Sequence, residues 1–200
     1  RYSKIHQKIK QIIQTNEIGM LQSVSGFYTK GIFHNGTHWI DLARWLIGEI
    51  TEAFSFNEDL DSSDPTLNAW FKFDNGVHGF LHGLDAKAFS LFEMDIIGTL
   101  GRIRIIDSGH SIEYFSVDDS PYYSGYETLL KTDTTYSEIE DVILNAVTNL
   151  IFCLEHSEEP LCSGQDGLKA LRIAAALMTS THRNLKMKFN NNLVKILDEV

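Results

Sequence analysis

The stretch TLNAWFKFDNGVHGFLHGL, residues 66–84, decides the fold. Apolar and polar side chains alternate from Thr66 to Asp74, Asn75-Gly76 supplies a strong turn signal, and alternation resumes from Val77 to Leu84. This is the pattern of a β-hairpin with a two-residue loop. Such a loop sets Phe73 opposite His78, Phe71 opposite Phe80 and Ala69 opposite His82 on one side. Trp70 then faces Leu81, and Asp74 faces Val77, on the other. Both faces carry large apolar groups, so one is expected to be covered by this chain's helices and the other by a second cover. His78 and His82 share a face with Phe71 and Phe80, which suits interior or interface histidines better than catalysts.

Strand-like periodicity extends from Glu52 to about Val117, with further strands expected over 88–97, 101–106 and 111–117 and a tight link at Thr99-Leu100-Gly101. Upstream, residues 2–14 form a short basic amphipathic helix with Ile5, Ile9, Ile12 and Ile13 on one stripe, ended by Asn16-Glu17-Ile18-Gly19. A strand over 21–28 follows, then a loop and helix. In that helix Trp39, Leu42, Ala43 and Leu46 recur until Gly48, and Asn35 or Thr37 is the expected cap. Residues 118–135, with Pro121, Tyr122, Tyr123 and Tyr126, suit an irregular loop whose tyrosines wall a pocket or a partner surface. Two helices finish the chain. The first opens at a Ser137/Glu140 capping box with the stripe Ile139, Val142, Ile143, Ala146, Val147, Leu150 and Leu154. The second opens at Ser163 with Asp166 three residues on and carries Leu168, Leu171, Ala175 and Met178; a tail strand is expected over 185–189. The sum is an α+β fold, an open, predominantly antiparallel sheet with helices packed mainly on one face. It forms one domain over 1–200, with a lead-in helix at 1–16, loop-helix and sheet at 20–117, and two packing helices at 137–182.

Of the 200 residues, 43% are hydrophobic, enough for one sizeable core. A formal charge of −10, from 27 acidic and 17 basic residues, argues against nucleic acid or anionic lipid as partner. No apolar run approaches the roughly 20 residues that span a bilayer, so no membrane partner is expected. The lysines of the first helix leave no signal-peptide core, and the expected location is cytoplasmic. The chain opens at Arg1 without a Met, so whatever precedes it lies outside this sequence. Cys153 and Cys162 form no C-x-x-C, and Cys153 fits a reduced core thiol. Gly98-Thr99-Leu100-Gly101 links two strands and has no helix start behind it to cradle phosphates, so no dinucleotide site is expected in the chain.

The residues best placed for chemistry are His34, His38 and Asp41. If the helix begins near His34, the two histidines lie one turn apart and Asp41 one step of three beyond His38. The positive end of the helix dipole favours neutral imidazole, the form a general base needs. Asp41 is placed to accept a hydrogen bond from the other ring nitrogen and fix the tautomer. The plainer alternative is that all three are capping and surface groups. A metal site is a further alternative, with Asp41 as third ligand, but Asn35 stands where an H-E-x-x-H signature has Glu. Lys30 suits a substrate hydroxyl or anionic group, or simply solvent. Arg102 and Arg104 alternate with Ile103 and Ile105 on the solvated side of a strand, and Asp64-Pro65 marks a turn before one.

These blocks together resemble the C-terminal domain of the glucose–fructose oxidoreductase / inositol dehydrogenase / MocA family of NAD(P)-dependent oxidoreductases. The resemblance rests on Ile18-Gly19, on Tyr28-x-Lys30-Gly31-x-x-His34-Asn35-Gly36-Thr37-His38-x-x-Asp41-Leu42-x-Arg44-x-Leu46-x-Gly48-Glu49, and on Phe73-Asp74-Asn75-Gly76. It continues in Glu93-Met94-Asp95-Ile96-Ile97-Gly98-Thr99-Leu100-Gly101 and Ser163-Gly164-Gln165-Asp166-Gly167. It implies an N-terminal Rossmann domain, absent from this chain, that binds NAD or NADP and carries the cofactor-binding residues and a catalytic lysine. It implies His38 as the acid/base for a substrate hydroxyl, with Lys30, His34, Asn35 and Asp41 near a sugar, nucleotide-sugar or cyclitol. His34 stands where the family commonly has Asp, which keeps a non-catalytic binding or assembly module in view beside a metal hydrolase using His34, His38 and Asp41. It also implies that the open sheet face builds a homo-oligomer, and that these 200 residues alone are inactive.

Overall fold

The computed structural model describes residues 1–56, 62–136, 141–190 and 193–196. Residues 66–84 form the expected hairpin, β3 (Asn68–Phe73) and β4 (His78–Gly83). Its register differs from the expected one by a single residue. Ala69 pairs with Leu81, Trp70 with Phe80, Phe71 with Gly79 and Lys72 with His78. The Phe73 N–H donates to Val77 O at 2.9 Å, and the Gly76 N–H donates to Phe73 O at 3.0 Å. The loop is therefore Asp74-Asn75-Gly76, a three-residue turn closed by Gly76 at φ 85°. The reason lies outside the hairpin. Asp74 N donates to Glu49 O at 2.8 Å, and Asn75 Nδ2 donates to Ile47 O at 3.0 Å, so the turn grips the end of a helix. A one-residue slip inverts the faces of a strand pair. Ala69, Phe71, Phe73, Val77 and Leu81 are buried, whereas His78 and His82 share the opposite face with Trp70 and Phe80 and not with Phe71.

The other strands are β1 (Leu21–Tyr28), β2 (Ile50–Phe56), β5 (Phe92–Gly98), β6 (Gly101–Ile106), β7 (Ser111–Asp119), β8 (Glu127–Tyr136), β9 (Met187–Asn190) and β10 (Leu193–Ile196). They join β3 and β4 in one ten-stranded sheet ordered β10-β9-β2-β3-β4-β1-β5-β6-β7-β8. Neighbours are antiparallel except β1 and β4, which are parallel. A parallel pair needs a long crossover, and here it contains the helix α2 (Thr37–Leu46). The expected irregular loop over 118–135 is corrected: β8 pairs with β7 from Asp119↔Glu127 to Ser111↔Tyr136. An edge strand wet on both faces needs no apolar stripe, so its polarity hid it.

Helix α1 (Lys4–Gln14) buries Ile5, Ile9 and Ile12 as expected. Helix α4 (Gly164–Arg183) starts at the Ser163/Asp166 box, Ser163 N donating to Asp166 Oδ2 at 2.8 Å. Its buried stripe, however, is Ala170, Ile173, Ala174 and Leu177, while Leu168 and Leu171 are exposed. Small side chains let α4 approach β2 closely: Ser55 Oγ donates to Leu177 O, and Ser55 N donates to Ser180 Oγ at 3.0 Å. Helix α3 (Val142–His156) buries only Cys153, and the apolar stripe expected to pack, including Ile143, Val147, Leu150 and Leu154, faces outward. The Ser137/Glu140 box lies outside the described residues. α1, α2 and α4 cover the buried sheet face, so the architecture is the expected α+β layer pair. No helix among the described residues is long and apolar enough to cross a membrane.

Candidate functional site

The site starts where β1 ends. Lys30 (φ 68°) and Gly31 (φ 78°) both adopt left-handed backbone and reverse the chain. Residues Gly31–Gly36 form a wide π-helical turn that runs into α2. The helix is pinned to the sheet by Trp39. Its indole Nε1 donates to Glu93 O at 3.2 Å, and its ring stacks on Phe71 with centroids 5.8 Å apart. Gly26 makes room for it, since a Cβ there would lie 1.9 Å from Trp39 Nε1.

With Trp39 inward, His38 faces out. The rings of His34 and His38 lie 6.4 Å apart and nearly perpendicular, at 83°. Both are exposed, as is Lys30, and Asn35 is half-buried. The start of the helical run thus gathers Lys30, His34, Asn35 and His38 on one stretch of chain. Neither Asn35 nor Thr37 caps it: Thr37 Oγ1 instead donates to His34 O at 2.7 Å.

Asp41 is engaged elsewhere. Its carboxylate receives Arg1 Nη2 at 2.6 Å and Nε at 3.1 Å, with Arg44 Nη1 at 3.5 Å. Arg44, its side chain 2% exposed, also forks onto Glu49 with two bonds of 2.9 Å and reaches Asp166 O at 3.2 Å. Hydrogen bonds from Arg44 lead in holding the Glu49 carboxyl below its usual range. At Asp166 burial opposes ionisation, but bonds from Ser163 and the Arg1 charge outweigh it, and its pKa is lowered. Asp41 therefore belongs to an ionic clasp joining α2, α4 and the start of the chain, and the expected bond to His38 gives way to that pairing. Among the described residues no three His, Cys, Asp or Glu side chains are grouped to hold a metal ion, so His34, His38 and Asp41 do not form the ligand set of the metal alternative.

The sequence did not disclose what braces the π-helical turn. Gly31 N donates to Thr66 Oγ1 at 3.1 Å, Ile32 N to Pro65 O at 2.9 Å, and Phe33 N to Asp64 Oδ1 at 2.7 Å. Tyr28 fastens the same segment, its hydroxyl donating to Leu67 O at 3.0 Å and accepting from Leu67 N at 2.7 Å. Burial pushes that phenol well above its ordinary pKa. The only local signal was a Gly after Lys30; its partners lie some thirty residues on.

The 98–101 link offers a dinucleotide no cradle. Thr99 N donates to Met20 O and Leu100 N to Ile18 O, both at 2.9 Å. A Cβ on Gly98 would meet Ile18 O at 2.1 Å, so these glycines serve strand packing against Ile18-Gly19.

Residues 29–104 match the family model described as the GFO/IDH/MocA C-terminal domain. An uncharacterized protein of Haemophilus influenzae is 25% identical over 95 residues, covering 45% of this chain and 90% of that protein. Among solved structures, an NAD binding oxidoreductase from Klebsiella pneumoniae is 15% identical with a TM-score of 0.76, over 93% of this chain and 63% of that one. The WlbA dehydrogenase from Bordetella pertussis, in complex with NADH and UDP-GlcNAcA, is 17% identical with a TM-score of 0.71, over 93% of this chain and 61% of that one. This chain thus spans about three fifths of either solved chain. From the turn after β1 into β6 this chain is therefore similar to the GFO/IDH/MocA C-terminal domain, and it shares the fold of these oxidoreductases.

Proposed function

We propose that this chain is the substrate-binding part of an NAD(P)-dependent oxidoreductase acting on a hydroxyl or keto group of a sugar, nucleotide-sugar or cyclitol. The observation that carries this reading is the exposed His34–His38 pair on a braced turn, inside the segment that matches the family model. His38 takes the hydroxyl proton in oxidation and returns it in reduction. Lys30, His34 and Asn35 bind the neighbouring oxygens, while Asp41 acts from behind by holding α2 to Arg1. When bound, NAD or NADP supplies the hydride acceptor or donor. The 98–101 link does not fit its pyrophosphate, because the amides of Thr99 and Leu100 are already bonded, and its site is assigned to a domain outside this chain.

That missing domain is supported by the two fifths of the similar chains that lie beyond this fold, and by the outward apolar stripe of α3, which a second domain would cover. The 200 residues alone are then inactive, since half of the cleft is lacking. The far sheet face, with Phe27 40% and Phe80 43% exposed beside Trp70, suits a homo-oligomer interface. The free thiols Cys153 and Cys162 suit the cytoplasm. A binding or assembly module without turnover is the second reading, motivated by His34 at the position of the family's usual Asp.

The test uses the full-length protein with NAD(P) and a panel of sugars and cyclitols. His38→Ala should lower turnover by about 100-fold or more, the scale of acid–base assistance, and leave the melting temperature unchanged because the ring is exposed. An undiminished rate removes His38 from the mechanism. A wild-type protein that perturbs neither NAD(H) nor NADP(H) fluorescence leaves the binding-module reading.

A further inference from the structure

We propose that Asp64 is a positioning residue for the His34–His38 pair, acting through the π-helical turn on which His34 sits. The geometry stands by itself; its consequence for turnover rests on the function proposed above.

The first N–H groups of a helical run have no carbonyl behind them. Here the run starts at Gly31, and neither Lys30 nor Gly36 contributes a side-chain cap. The three leading N–H groups are met instead by consecutive residues of a distant strap: Thr66 takes Gly31, Pro65 takes Ile32 and Asp64 takes Phe33. Asp64 makes the shortest of these bonds, 2.7 Å, and brings a negative charge to a helix start, where the dipole favours one. It also fills the space over Gly31: a Cβ at residue 31 would lie 2.2 Å from the Asp64 Cγ and Oδ2. Carboxylate and glycine are fitted to one another, with the backbone of Gly31 already in the left-handed region.

A π-helical turn holds one more residue per hydrogen-bonded ring than an α-helical turn. Without its brace, residues 31–36 would relax toward α-helix, which rotates the preceding side chains by about 100° per residue. His34 would then swing away from His38, while His38, fixed by the inward Trp39, would stay. Asp64 therefore sets the angle between the two rings without touching either.

Imidazole resonances of His34 and His38 and amide exchange over residues 31–36 read this directly in the chain. Asp64→Ala should accelerate exchange of the Phe33 amide at least about 10-fold and shift His34 more than His38. The Trp39 indole N–H resonance should remain in place. Asp64→Asn keeps an acceptor and should restore the wild-type pattern. In the full-length protein Asp64→Ala should lower kcat by about 10- to 100-fold, the scale of a misplaced reacting group, with Asp64→Asn recovering most of it. The proposal is overturned if Asp64→Ala leaves both histidines and the Phe33 amide unchanged. It is equally overturned if Trp39 and the melting temperature move as much as His34, which would make Asp64 a residue of the fold alone. Lack of turnover in the wild-type full-length protein would sink the proposed function, yet the resonances would still decide the role of Asp64.

Discussion

Gly26 and Trp39 fix the orientation of α2, and with it the side on which His38 emerges. Gly26→Ala would set a methyl group 1.9 Å from the indole nitrogen and 2.7 Å from Glu93 O, in a place with rigid walls. Overpacking of this kind costs about 1–3 kcal/mol, and a lowered denaturation midpoint should report it. His6 offers a residue-scale pH test. Burial pushes its pKa down to about 4, and its Nε2 lacks a hydrogen-bond partner among the described residues. The unfolded chain, with an ordinary histidine pKa of about 6.5, takes up this proton before the folded one does. Stability should therefore fall as pH drops from about 6.5 to 4, by on the order of 1–3 kcal/mol for this group. His6→Leu should flatten that part of the profile in urea melts at successive pH values; an unchanged slope would assign it to other groups.

Helix α4 shows how an element can be found without its orientation. The Ser163/Asp166 box marked its start, because a cap is a contact within four residues. Two apolar stripes run along it, and periodicity fits either. The sheet selected Ala170, Ile173, Ala174 and Leu177, since small residues and the Ser55 and Ser180 hydroxyls allow α4 to lie close on β2. Leu177→Ala should cost about 2–5 kcal/mol, whereas Leu171→Ala should stay within about 0.5 kcal/mol. Equal losses in chemical denaturation would mean that α4 packs the other way. The hairpin teaches the same lesson for strands. Alternation located both arms, but the register was set by Asp74 and Asn75 binding the end of α2, a partner no hairpin rule contains.

At the scale of the whole molecule, a ten-stranded sheet covered by helices on one face leaves the other open. Trp70 stacks edge-on against His78 at 5.4 Å, and Phe27 lies against His82 at 5.1 Å, so the aromatic groups of this face are only partly sheltered by their own neighbours. If the face joins copies, Phe80→Glu combined with Trp70→Glu should turn an oligomer into a monomer in sedimentation experiments with little change in the fold. A wild-type chain that already sediments as a monomer, alone and at full length, would reject that use of the surface.

Read alone, the sequence determined what neighbours in the chain can decide: strand alternation, the buried stripe of α1, the capping box at Ser163, and two nearby histidines after β1. Motif order also gave the resemblance to the GFO/IDH/MocA C-terminal domain that residues 29–104 bear out. Tertiary structure decided which partners arrive from far away: Arg1 takes Asp41, the turn at Asp74 takes the end of α2, Asp64 braces the turn before His34, and β2 chooses the face of α4. The division is physical. Local patterns follow from backbone geometry over a few residues, whereas the fate of a carboxylate or an ambiguous stripe depends on which distant surface packs against it first and closest.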